Sequence, residues 1–293
     1  MIKSFSLFTG LLFWCAYSVA FAAEDAARSS VSLTQIERAW LAAHPKPFRV
    51  GAEMDWPPYD FVADDRATGY SNEIMRLAAK NVGMPLEFVF GMTWSQLVDA
   101  FEKGDLDILP VVYRTPERER KWAFTASYVK NATVLVVGRD GTDVTGLDDL
   151  DGRTMAVIAG YATNPALARR YPGIRQQPVV GILEGLKEVS LGRVDAFVGS
   201  HGVIGHLLDK HVLPGIRIVD EVWLTSPDET RLHMALRIEN SIGRDILQKG
   251  LDAITPDQRR TLRKRWLPLT ANVKASEKGA RVSLTPEESG WAA

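Results

Sequence analysis

Two rhythms of hydrophobic positions alternate along this chain. FRVGA (48–52), LEFVF (86–90), LDILPVV (106–112), TMAVIA (154–159) and VDAFV (194–198) are short apolar runs of strand length. Between them lie stretches with helical spacing. SNEIMRLAAKNVG puts Ile74, Leu77, Ala78 and Val82 on one face, with Ser71 or Asn72 as the expected cap. WSQLVDAFEKG buries Trp94, Leu97, Val98 and Phe101, and ILEGLKEVSLG and ALARRY follow the same period. PVV and RIVD add strands, and a helix runs through Leu207 and Leu208. LHMALRI is a last strand before two helices, SIGRDILQKGLDAI and TPDQRRTLRKRW. Such alternation predicts an α/β fold with mostly parallel pairing.

One unit occurs twice. FEKGDLDILPVV (101–112) and VSLGRVDAFVGS (189–200) both run from helix through Gly-x-x-Asp into an apolar strand. Alone, the motif is a common helix-to-strand turn; in duplicate it suggests two α/β lobes of similar build. Ligands of open parallel sheets sit beyond the carboxyl ends of the strands. The segments 53–59, 110–118, 159–163 and 199–201 occupy that position, two from each expected lobe.

Composition narrows the field. With 293 residues, 24% charged and 46% hydrophobic, the chain is long enough for one large domain or two lobes. A net charge of −1 offers no field for nucleic acid or an anionic membrane. Lys3, the apolar run LFTGLLFWCAYSVAF and the small residues 20–23 form a signal peptide over 1–23. An uncleaved anchor is the alternative, because the run is nearly long enough to span a membrane. Cleavage would remove Cys15, the single cysteine, and leave a periplasmic protein with no thiol or disulfide.

Together, AEMDWPPYDFVADDRATGYSNEIMRLAA, GMTWSQLVDAFEKGDLDILPVVYRTPERERKWAFTASYV, LDDLDGRTMAVIAGYA and GRVDAFVG resemble the bacterial extracellular solute-binding proteins of family 3. They are most similar to the Venus-flytrap sensor domains of hybrid histidine kinases. The resemblance covers about 33–266 and implies a type II periplasmic-binding-protein-like clamshell, two α/β lobes joined by two hinge strands. Its expected parts are an N-terminal extension (24–45), lobe 1 (46–133 and 229–268), lobe 2 (134–228) and a linker with a possible second repeat (269–293).

The resemblance implies that Arg118 grips a ligand carboxylate. Local chemistry points the same way, since Thr115 is a good N-cap, Pro116 suits the first helical position, and a guanidinium fork matches a carboxylate. Arg114, Arg120 and Lys121 read as solvated surface. Trp56, on the stiff DWPPY segment, matches an aromatic that stacks on the ligand; a core tryptophan is the alternative. Glu53, Asp55 and Tyr59 are weaker candidates. Gly160 and Tyr161 stand where amino-acid binders carry Gly followed by Ser or Thr. Ser200 replaces the acid that neutralises a ligand ammonium, and Tyr113 replaces the hydroxyl beside it. The carboxylate grip is therefore expected to survive and the ammonium grip to be lost.

His201, His206 and His211, spaced by five, do not share a helix face, and no phosphate loop, nucleophile elbow or zinc motif is present. No cofactor and no metal are expected. VSLTPEESGWAA (282–293) aligns without gaps on VSLTQIERAWLA (31–42), which suggests the start of a second module or a vestige of one. The expected function is a solute-binding module serving as input to a membrane sensor kinase. The alternatives are a free binding protein of an ABC permease and, more remotely, a cyclohexadienyl-dehydratase-like enzyme with Glu53 as its acid.

Overall fold

The structure is a computed structural model and describes residues 31–161, 163–222 and 230–267. The expected signal peptide (1–23), residues 24–30, residue 162, residues 223–229 and the tail beyond 267 lie outside the described residues.

Helix α1 (Gln35–Ala43) precedes strand β1 (Phe48–Gly51). A small antiparallel sheet, β2 (Asp55–Trp56), β3 (Asp60–Ala63) and β4 (Arg66–Thr68), interrupts the first βαβ unit. There follow α2 (Tyr70–Val82), β5 (Leu86–Val89), α3 (Trp94–Lys103), β6 (Ile108–Tyr113), α4 (Pro116–Glu119), β7 (Trp122–Phe124) and β8 (Val129–Lys130). The second half runs β9 (Thr133–Val137), β10 (Thr154–Ile158), α5 (Asn164–Arg170), β11 (Arg175–Val179), α6 (Ile182–Ser190), β12 (Ala196–Ser200), α7 (His201–Lys210) and β13 (Arg217–Glu221). Then β14 (Arg231–Arg237), α8 (Ser241–Asp252) and α9 (Pro256–Trp266) return to the first sheet.

Two large sheets organise these elements. One has the order β5-β1-β6-β14-β7 with β8 also on β14; the other is β11-β10-β12-β9-β13. The pairing is mixed, not mostly parallel as the alternation predicts. In each sheet only the three strands linked by crossover helices are parallel, and the rest pair antiparallel. Strands that enter a sheet without a helical crossover are free to run the other way.

The repeated Gly-x-x-Asp does the same work twice. Gly104 and Gly192 take left-handed φ of 88° and 68°. Asp107 then accepts the Arg49 N–H at 2.8 Å, and Asp195 accepts the Thr154 N–H at 2.7 Å. In both lobes the carboxylate thus holds a backbone N–H at the start of the neighbouring strand, so the duplicated sequence marks duplicated architecture. The chain passes between the sheets from Lys130 to Thr133. Its return passage includes residues 223–229, outside the described residues, and the Asn131 N–H donates to the Thr230 carbonyl at 2.6 Å beside it.

Several helices start at side-chain caps. Thr93 and Thr255 close capping boxes on Gln96 and Gln258. Helix α2, however, is entered from Gly69, at φ 105°, where a Cβ would lie 2.4 Å from the Tyr59 carbonyl oxygen. Ser71 and Asn72, expected as caps, are instead fully buried inside it, and Asn72 Nδ2 donates to Asp60 Oδ1 at 2.7 Å.

Helices α2 and α8 meet at Gly250, where a Cβ would lie 2.1 Å from the Ala78 carbonyl oxygen. Backbone cannot yield as a side chain can, so Gly250→Ala should destabilise by ~1–3 kcal/mol despite alanine's better helix propensity. Urea denaturation measures this; an unchanged or higher midpoint would contradict the packing.

Candidate functional site

Loops from both sheets converge on one cavity, lined by Glu53, Trp56, Trp94, Tyr113, Arg118, Tyr161 and Ser200, with Thr133, Thr163 and a floor of valines and Leu232. The four loop segments singled out beyond the strand ends all reach it. It is small: a water molecule's centre has about 40 Å³ in which to move, enough for a few waters.

Arg118 is held by backbone. Its Nη1 donates to the Tyr113 carbonyl at 3.0 Å and its Nη2 to the Gly160 carbonyl, from the opposite lobe, at 3.3 Å. The guanidinium carbon lies 4.8 Å from the Trp122 ring centre and 5.5 Å from that of Trp94. Burial pulls its pKa down to about 10, against the pull of Glu117, Glu102 and Glu53, so it remains a cation at neutral pH. Its neighbours differ. Arg114 pairs with Glu119 and Lys121 with Glu102, at the surface, and Arg120 is exposed. Among the described residues no carboxylate forms such a pair with Arg118.

Thr115 is the N-cap that the sequence suggests, accepting the Arg118 N–H at 3.2 Å. It does not line the central cavity; with Gly160 it borders an outer opening on the other side of Arg118. Helix α4 has only four residues and its cap is already taken up, so the guanidinium carries the anion-attracting field here. Gly160, at φ 76°, uses its carbonyl rather than its N–H, accepting from both Arg118 and Trp94 Nε1.

Trp56 is 5% exposed, belongs to the core and lines the cavity at once. Its indole N–H lies near the Tyr161 hydroxyl, favouring that hydroxyl's ionised form, but no acceptor completes a hydrogen bond to it. Burial nonetheless keeps the Tyr113 and Tyr161 hydroxyls protonated, with pKa values pushed far up. Ser200 is tied down: it caps α7 through the Val203 N–H at 3.3 Å and accepts from Asn131 Nδ2 at 2.5 Å. Asn131 also donates to the Tyr113 hydroxyl at 3.1 Å. Asp55 and Tyr59 are not among the cavity lining; burial raises Tyr59 to about 12.

Glu53 is the one carboxyl among the lining residues. Burial raises its pKa well above the usual range, the charges of Asp60 and Asp55 raise it further, and Arg118 opposes them. Asp60, itself buried and raised to about 7, accepts the Glu53 N–H at 3.0 Å. Burial and these neighbouring acids therefore favour the neutral, hydrogen-bond-donating form of Glu53.

Sequence reasoning missed Trp94 and Asn131. Trp94 falls on the apolar stripe of its helix and reads as core, yet it stands at the first helical position, half-buried, facing the second lobe. Asn131 carries no local signal, because its role depends on where the chain crosses between sheets. Among the described residues no cluster of His, Cys, Asp and Glu could hold a metal.

Two mixed α/β lobes that meet over a small cavity lined from both define a clamshell solute-binding module. The chain belongs to the bacterial extracellular solute-binding proteins, family 3, which it matches over residues 48–269. It is 26% identical over 212 residues to the virulence sensor protein BvgS of Bordetella pertussis, covering 72% of this chain and 17% of BvgS. To the probable amino-acid-binding protein YxeM of Bacillus subtilis it is 33% identical over 168 residues, 56% of this chain and 63% of YxeM. The crystal structure of the B. pertussis BvgS periplasmic domain shares its fold, with TM-score 0.70 at 24% identity over 80% of this chain and 45% of that one. A histidine kinase sensor domain with similarity to periplasmic binding proteins does so equally, with TM-score 0.70 at 24% identity over 76% and 96%.

The bond from Trp94 Nε1 to the Gly160 carbonyl, 3.0 Å long, spans the two lobes. Trp94→Phe keeps an aromatic side chain, though a smaller one, and deletes the donor. Small-angle scattering should then show a larger radius of gyration as open forms gain population; an unchanged profile would place closure elsewhere.

Proposed function

We propose that this module closes on a small carboxylate-bearing or polar solute, and that closure is the sensory input of a membrane receptor. The carrying observation is Arg118, an enclosed cation facing the cavity with carbonyls and, among the described residues, no carboxylate as its partners. A partly desolvated cation gains most from an opposite charge, and a ligand carboxylate would replace the long bond to Gly160. Trp56 and Trp94 offer apolar faces to the cavity, and Glu53, whose neutral form burial favours, would in that form donate to an anion instead of repelling it. Thr115 and Gly160 act indirectly, by holding the backbone of α4 and the guanidinium. Ser200, fixed by Asn131, supplies no charge for an ammonium group.

In this reading residues 46–133 with 229–268 form one lobe, 134–228 the other, and residues 1–23 direct export to the periplasm. Likeness to BvgS favours the sensor role, and likeness to YxeM favours the alternative, a free binding protein for an importer. The site is read as binding, not turnover, in keeping with the family. Assaying cyclic carboxylic acids for turnover would expose a dehydratase.

Arg118→Ala should weaken binding of a carboxylate found by thermal-shift screening by ~2–5 kcal/mol, about thirty-fold to several thousand-fold. Calorimetry decides; equal affinity would remove Arg118 from the site.

The pH dependence has a definite sign. Glu53 is raised, so it is neutral at low pH and becomes an anion beside the ligand as pH climbs through its folded pKa. Affinity for a carboxylate should therefore fall on the alkaline side, and Glu53→Gln should flatten that fall. Binding that strengthens with pH would indicate a cationic ligand instead.

A further inference from the structure

Residues 31–42 are seated on the first lobe by a few side chains. Glu37 is buried, receives Lys249 Nζ at 2.7 Å and closes a capping box with Thr34. Lys249 Nζ also donates to the Ser32 carbonyl at 3.3 Å. The Trp40 ring lies over Gly243, where a Cβ would come within 2.5 Å of it, and stacks on Phe48. Val31, Leu33 and Leu41 pack against the core, while Ile36 is 69% exposed.

Most of these seating residues recur in the tail. Val282, Leu284, Thr285, Glu288 and Trp291 stand where Val31, Leu33, Thr34, Glu37 and Trp40 stand in the gapless alignment. What drifts is mainly exposed: Ile36, Arg38 and Ala39 become Glu287, Ser289 and Gly290. Gln35 becomes Pro286, at the first helical position that proline favours. Of the seated residues only Leu41 changes, to Ala292. Shared composition would not sort identities by contact.

We infer that residues 282–293 are a second docking segment for the Gly243–Lys249 face of this chain, competing there with residues 31–42. Glu288 meets Lys249, and Trp291 covers Gly243. The tail is long enough. Helices α8 and α9, of 12 and 11 residues, together span at most ~35 Å, and the chain from Leu267 to Val282 extends up to ~50 Å. Joined to the lobe in this way, the tail is present at high effective concentration.

Thermal unfolding of the full chain tests this as a double-mutant cycle. Trp291→Ala alone should leave the midpoint unchanged, because residues 31–42 hold the seat. Trp40→Ala should lower it modestly, and the double variant should fall at least ~3 °C further as the substitute is lost. A synthetic peptide of residues 280–293 should raise the midpoint of the double variant, and the same peptide with Trp291→Ala should not. Equal midpoints for Trp40→Ala and the double variant, or a peptide without effect, overturn the inference. Should Trp40→Ala fail to fold, Glu37→Gln with and without Glu288→Gln gives the same comparison.

Discussion

The cavity depends on where the donors of one guanidinium go. Arg118 spends them on two carbonyls, Tyr113 of its own lobe and Gly160 of the other. A carboxylate within reach on its own lobe would have satisfied it without the second lobe. Carbonyl partners leave a cation that is hydrogen-bonded but not neutralised, which in the proposed reading ties lobe closure to anion recognition. The two events then draw on one group.

The surrounding acids maintain this imbalance. Asp60 accepts from Asn72 and from the Glu53 backbone, which fixes a carboxyl beside Glu53. Its charge and that of Asp55 add to burial in raising Glu53, which disfavours ionisation of the one carboxyl lining the cavity. A chain of effects from Asn72 through Asp60 to Glu53 thus preserves the positive field of the site, and it does so from residues inside the first lobe.

Much of the fold was legible because the apolar rhythm is strong: every crossover helix and every parallel strand answers to a run visible in the sequence. The small sheet of 55–68 was not, since its strands are two to four residues long and carry no period. The antiparallel strands from Trp122 to Val137 were not read either, because pairing direction depends on tertiary return of the chain. At the site, Arg118 and Trp56 stood out through local chemistry and family resemblance. Trp94 was hidden by its own periodicity: an aromatic on a helix stripe looks like core, and only the neighbouring lobe turns it into a cavity wall. Thr115 was legible as a cap, but a cap holds backbone and need not face the cavity.

Closure also limits what the module can report. The bonds from Trp94 and Arg118 to Gly160 already stabilise contact between lobes, so a ligand shifts the balance only by what it adds beyond them. A solute that merely fills space and leaves the Arg118–Gly160 bond in place gains little differential affinity. One that presents a carboxylate exchanges a 3.3 Å bond to a neutral carbonyl for an opposite charge that matches the guanidinium fork. In the proposed reading the site thus selects for anionic character before shape, at the residue that also joins the lobes.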